Sequence, residues 1–316
     1  MGADSVQLTI ETHWDSRSRS MWSNDYRVDE LSGLSAQQLA GARSPARFAL
    51  VREPGRLDCG GTAGGWRGEG TCGFTPDAGF ASFLAARGIG TPSRQQAYAL
   101  TMSRVGRDLV QSMAEIGYVR PNLDQLVAMG IHGVTADFVR GLARSGYRLG
   151  SADDLVAFRI HGVDLDYIGE MAAISPRLQH LKADDLVSMR IHGVKPQYVR
   201  EMAAMGPEFR SVTADDLVAF AIHGAKPDMV RAYVRYAGGK LEADDIVAMA
   251  IHGVTARYIE ELAALGYRNF TADQLVAMRI HGVTPDYVRS LQAAGMANLS
   301  SDELVRLRLA GFTPRR

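Results

Sequence analysis

Six copies of Ile-His-Gly, each followed by Val or Ala, place histidines at His132, His161, His192, His223, His252 and His281. The successive spacings are 29, 31, 31, 29 and 29 residues. Imidazole can ligate a metal, carry a proton or bond to backbone, so one copy per repeat reads either as a row of ligands or as a row of structural contacts. Packed helices lie about 8–10 Å apart, whereas a zinc-bound nitrogen sits about 2.0–2.1 Å from its ion. Neighbouring histidines could not share one metal, and no second His, Cys or carboxylate recurs beside each of them within the turn. No metal and no cofactor is expected. The placement favours structural pins, in which each histidine closes a helix and its imidazole bonds the backbone of the next repeat.

The two cysteines, Cys59 and Cys72, flank Gly64-Gly65-Trp66-Arg67, a turn signal between strand-like arms. A hairpin centred there sets Cys59 opposite Cys72 and Leu57 opposite Phe74, with facing Cβ atoms close enough for a bridge. A disulfide would place the protein in an oxidising compartment, periplasmic or secreted. Reduced thiols would instead fit the cytoplasm.

Arginines recur at two repeat positions. Arg159, Arg190, Arg279 and Arg308 stand just before Ile-His-Gly or its terminal copy, and Arg140, Arg200, Arg231 and Arg289 stand further on. Such equivalents form stripes, and a stripe can read an acidic partner or phosphates. The competing reading pairs them with carboxylates at the Asp153, Asp184, Asp215 and Asp244 positions. Binding candidates are therefore Arg159, Arg190, Arg200, Arg231, Arg279 and Arg289. To these are added Pro176 and Pro207, which mark two joints with extra residues, since insertions in repeat arrays collect in loops on one face. No Gly-x-Ser-x-Gly, His-Glu-x-x-His or phosphate-binding glycine loop is present, and no cysteine has a plausible base beside it. The chain is read as a non-enzyme.

The elements that must position these residues follow from two periods. Val6–Ile10 alternates apolar and polar as a half-buried strand does, Phe48–Arg52 is a second strand, the two cysteine arms supply two more, and Leu34–Leu39 is a short helix capped by Ser35. Residues 1–74 thus form a β-rich domain of four to six antiparallel strands, and residues 75–316 form an α-helical repeat domain. In each repeat a capped first helix, as in Ser151–His161, ends at the glycine after the histidine, and a second begins at once, as at Thr284-Pro285-Asp286. A pair of such helices cannot bury its own face, but a stack of them can. Ser103 and Ala310 replace histidine in the worn end repeats. The expected fold class is α+β: a small antiparallel β-domain followed by a right-handed α-solenoid of about eight helical hairpins.

Composition limits the function. The 316 residues carry 35 basic and 35 acidic side chains, divided 8 and 9 before residue 75 and 27 and 26 after it. Neither part has the basic excess that phosphate-backbone binding needs, so nucleic acid is disfavoured as a partner. No run of 18 apolar residues is present, so no membrane span is expected. No signal peptide is visible, and the start Met1-Gly2-Ala3 is compatible with one having been removed.

The unit Phe270–Leu291, with Ile280-His281-Gly282-Val283 at its centre, resembles a short two-helix repeat of bacterial extracytoplasmic proteins, also found appended to membrane metallopeptidases of the antirepressor type. The resemblance covers about residues 75–316. It implies a sensing or interaction module. The peptidase motif is missing, so no peptidase activity carries over. A weaker similarity is to the DNA-reading repeats of transcription-activator-like effectors, through the opening Thr271-Ala-Asp-Gln-Leu-Val-Ala277 and the histidine in the inter-helix loop. The period is shorter here, and His-Gly is constant where a code must vary. The expected function is an interaction scaffold for a protein or peptide. A nucleic-acid reader and a small-ligand solenoid are the alternatives.

Overall fold

The computed structural model describes residues 5–14, 19–237 and 240–314, with backbone alone at 19, 207 and 208. The chain divides into two compact units, Met1–Ile160 and His161–Arg316.

The first unit opens with two antiparallel sheets. In one, β1 (Ser5–His13) pairs with β2 (Arg19–Arg27); in the other, β3 (Leu31–Ser32), β4 (Ser44–Arg52), β5 (Gly55–Gly64) and β6 (Arg67–Pro76) lie in that order. The expected register between β5 and β6 is found: Leu57 faces Phe74 and Cys59 faces Cys72. Gly65 and Trp66 take φ of +59° and +60° at the turn, the left-handed pair that matches strand twist in a two-residue hairpin. Cys59 and Cys72 form a disulfide. The short helix α1 (Ala36–Ala40) is capped by Ser35, whose Oγ accepts from the Gln38 amide. Strand β2 has no clear apolar alternation of its own, and β1 supplies its pairing.

Strand gives way to helix at Pro76, where the sequence period changes. Among the described residues sixteen helices follow, in two alternating kinds. First helices are α3 (Arg94–Met102), α5 (Leu123–Ile131), α7 (Ala152–His161), α9 (Ala183–Ile191), α11 (Ala214–His223), α13 (Ala243–Ile251), α15 (Ala272–Ile280) and α17 (Ser301–Leu309). Second helices are α2 (Ala78–Ala86), α4 (Arg107–Ile116), α6 (Ala136–Arg144), α8 (Leu165–Ile174), α10 (Pro196–Ala203), α12 (Pro227–Tyr236), α14 (Ala256–Ala264) and α16 (Pro285–Ala293). Each first helix packs on the next first helix within its unit, from α3 to α5 and from α9 through α17, while α4 packs on α6 and α8 on α10, α12 and α14 in turn. The compact units do not follow the strand-to-helix boundary, because α2–α6 belong with the sheets.

Local chemistry sets each helix length. Asn122, Thr213, Thr271 and Ser300 accept from the amide three residues on, and the residue at that position reaches back to the cap amide. Lys182 and Glu242 offer no such cap, but Asp185 and Asp245 still accept from their amides at 3.3 and 2.9 Å. At the other end, Gly282 takes φ +70° and the Val283 amide donates to the Met278 carbonyl at 2.8 Å, closing α15 with a buried valine. The turn is sharp: α5 and α6 meet at 89° across His132-Gly133. In the worn repeat at the front, Arg104 occupies the glycine position with φ +62°.

Among the described residues no single helix is long and apolar enough to cross a membrane.

Candidate functional site

The turn that ends a first helix is the joint to the next repeat; six of these turns carry an exposed Ile-His pair and four an arginine just before the Ile position.

Tyrosines, not histidines, tie the backbone of successive repeats. The third residue of a second helix is aromatic in most repeats, and in the second unit its hydroxyl donates to the carbonyl of the residue after the next repeat's glycine. Tyr167 donates to Val194 at 3.1 Å, Tyr198 to Ala225 at 3.0 Å, Tyr258 to Val283 at 2.8 Å and Tyr287 to Phe312 at 3.0 Å. Burial pushes the Tyr167 phenol up to about 12 and raises those of Tyr198, Tyr258 and Tyr287 as well, so all four remain donors at ordinary pH.

The expectation of histidine pins is corrected accordingly. His132, His192, His252 and His281 do occupy the helix C-cap, and His161 and His223 extend their helices by one residue. All six side chains are exposed, and among the described residues no imidazole of the six makes a hydrogen bond. Each histidine is the last residue before the glycine turn, and its side chain stays exposed at the helix end.

The isoleucine before each histidine is exposed with it. Ile131, Ile160, Ile191, Ile222, Ile251 and Ile280 are 53–56% exposed, and the terminal copy Leu309 is 65% exposed. The other invariant positions of the repeat have structural reasons. The leucine or isoleucine series at 126, 155, 186, 217, 246 and 275 is at most 1% exposed, and the glycines hold positive φ. Only in the first copy is the isoleucine slot covered. There Met102 is buried with Tyr98 against Tyr26, Leu50, Leu57 and Phe74 of the sheets, and Arg52 of β4 donates to the Thr101 and Met102 carbonyls at 2.8 and 3.1 Å.

The arginines before Ile-His-Gly lie over the aromatic rings of the preceding second helix. Arg159 stands 5.1 Å from the Phe138 centroid, Arg190 4.7 Å from Tyr167, Arg279 4.9 Å from Tyr258 and Arg308 4.9 Å from Tyr287. Each also covers the glycine of the preceding repeat. A Cβ built on Gly162 would stand 2.7 Å from Arg190 Nη2, a side-chain end that can move aside, so it is φ (+69°) that requires glycine there. Arg190 Nε donates to the His161 carbonyl at 3.4 Å, a cation at the negative end of α7.

The expected pairing with Asp153, Asp184, Asp215 and Asp244 is absent among the described residues. Each of these guanidiniums is instead turned onto a ring face, and the aspartates stand at the opposite end of the first helix. At the second arginine position, Arg140 pairs with Asp108, which raises its pKa, Arg200 pairs with Glu170 at 2.9 Å, and Arg289 pairs with Asp286. Arg231 is exposed and has no partner among the described residues.

The irregular joints serve the core. Ser175-Pro176 opens a 3-10 turn, Pro176–Leu178, that buries Leu178, and Ser175 Oγ donates to the Arg210 carbonyl at 2.9 Å. Pro207 starts a second turn, Pro207–Ser211, that buries Phe209; the Pro207 side chain lies outside the described residues. Of the third joint, Gly238 and Gly239 lie outside them too. Beside the first joint a shallow cleft of about 220 Å³ is lined by Arg177, Leu181, Asp185, Thr213, Ala214 and Asp215.

Neither the joint tyrosines nor the exposed isoleucines are among the sequence-predicted site residues. The signal for both was present: an aromatic at one fixed slot, and an apolar residue repeated beside a polar one. No family model, no curated protein and no solved structure matches this chain.

Proposed function

We propose that this chain is a non-enzymatic interaction scaffold whose helical repeats dock a protein or peptide at exposed Ile-His positions within a unit. One observation carries the reading: the isoleucine slot is covered by the chain's own sheet at Met102 and left open at Ile131, Ile160, Ile191, Ile222, Ile251 and Ile280. Two side chains repeated at an exposed position, with neither a core role nor a hydrogen bond, ask for a reason outside the fold. The likeness to extracytoplasmic sensing and interaction repeats belongs to the same proposal. So does a location in an oxidising compartment, periplasmic or secreted, which the Cys59–Cys72 bridge supports.

The test uses the full chain. Ile222→Asp with Ile251→Asp would be compared with the wild type in cross-linking capture from host extract, alongside Val234→Asp, a control at a residue that is 47% exposed on a second helix. The expected result is a captured protein that is retained by the control and lost with the double variant, all three chains having the same helical content. Equal capture by the double variant would sink the reading.

A further inference from the structure

We propose that the face of Tyr198 is a binding position for a guanidinium group, supplied by an arginine side chain of a bound partner. The identity of that ligand as a partner's side chain rests on the scaffold reading; the site itself rests on a comparison of the repeats with one another. In the second unit Tyr167, Tyr258 and Tyr287 each bond the next repeat through the hydroxyl and carry an arginine over the ring. Tyr198 keeps the hydroxyl bond, 3.0 Å to the Ala225 carbonyl. Ala221 stands where the arginine would be.

Three consequences of that replacement are visible. Tyr198 is partly exposed, whereas Tyr167 and Tyr258 are 4% exposed and Tyr287 6%. Among the described residues no cation of the chain lies over the ring. The space above the preceding glycine is vacant: a Cβ on Gly193 meets nothing within 4 Å, where one on Gly162 or Gly253 would meet Arg190 Nη2 at 2.7 Å or Arg279 Nη2 at 3.3 Å. At the following joint both halves of the arrangement are gone, with Met229 in the ring position and Ala250 in the arginine position, so Tyr198 is the one uncovered ring of the series in this unit.

The chemistry of the missing group is read from its siblings. In all three a planar cation stacks on the ring face, and in one of them an N–H also reaches the carbonyl at the end of the preceding first helix, Arg190 Nε to His161. At Tyr198 the corresponding acceptor is the His192 carbonyl. A guanidinium meets both demands at once. An ammonium, a compact and strongly hydrated point charge, meets them less well. Ile222, 55% exposed, directly follows Ala221 in α11.

The full chain, labelled at its tyrosine rings, would be titrated with Nα-acetylarginine methylamide, with the lysine and norleucine analogues as comparators. The Tyr198 ring signal is assigned by its absence in Tyr198→Leu, or in Tyr198→Phe should that variant not fold. The expected result is a saturable shift of this signal with the arginine probe, weaker with lysine and absent with norleucine. Ala221→Arg, which lets the chain fill its own site, should abolish the shift and raise the melting temperature. An unmoved Tyr198 signal, or the same shift in Ala221→Arg, overturns the proposal. Because this titration needs no partner protein, its failure alongside capture that depends on Ile222 and Ile251 would remove the guanidinium site and leave the scaffold standing. Success without such capture would do the reverse.

Discussion

At the scale of single residues, four joints between repeats carry a tyrosine hydroxyl bond, and four carry a guanidinium on an aromatic ring. The imidazole, the most conspicuous side chain of the phrase, takes no part. Removing a hydroxyl from a buried donor–acceptor pair leaves the carbonyl unpaired and costs about 0.5–1.5 kcal/mol. Replacing an exposed side chain away from such features usually changes stability by less than about 0.5 kcal/mol. Tyr258→Phe is therefore expected to lower stability by about 1 kcal/mol, and His252→Ala to leave it close to wild type. Urea unfolding of both variants checks the pair. The reverse order would restore the histidine as the pin. His-Gly could be read as a helix end from sequence, because glycine's freedom at positive φ is local. Which side chain then met the neighbouring repeat could not, because that depends on where the second helix points after the turn.

At the scale of elements, the best-specified piece is the β5–β6 hairpin. A Gly-rich two-residue turn sets the register, and the register brings Cys59 and Cys72 face to face. The bridge closes a short loop, with a sequence separation of 13 residues, and removing it is expected to cost the sheet-bearing unit about 3 kcal/mol. Cys59→Ser with Cys72→Ser should lower the denaturant midpoint of the transition reporting on Trp14 and Trp22, and a reducing agent should do the same to the wild type. An unchanged midpoint would mean that β4 and the turn hold the hairpin unaided. The helices were equally legible, since caps, glycine stops and 3.6-residue apolar spacing are all short-range signals. Strand β2 was not, because a polar strand is defined by its neighbour rather than by its own pattern.

At the scale of the whole molecule, stability in a repeat array is a sum of units and nearest-neighbour joints. Within the second unit those joints differ. The step from α14 to α15 has both Tyr258 and Arg279, while the step from α12 to α13 has Met229 and Ala250 and so lacks the hydroxyl bond and the stacked cation. Hydrogen exchange should therefore be faster in α13 (Ala243–Ile251) than in α15 (Ala272–Ile280). Equal protection would show that apolar packing alone sets the strength of a joint. The same unevenness underlies the functional reading, since the repeat that lacks its arginine is the one that leaves a ring open.

The sequence by itself determined the architecture: a β-rich start, the cross-strand disulfide, the change of period after residue 74 and a ladder of short capped helices. All of these rest on interactions between residues close along the chain or paired by a tight turn. Only the tertiary structure decided which repeated side chains are buried at the joints and which are presented to solvent. That depends on the sharp angle between successive helices, which turns Tyr258 and its equivalents inward and carries Ile251-His252 and their equivalents outward. It also depends on the sheet, which covers Met102 and leaves the six later copies of the same slot exposed.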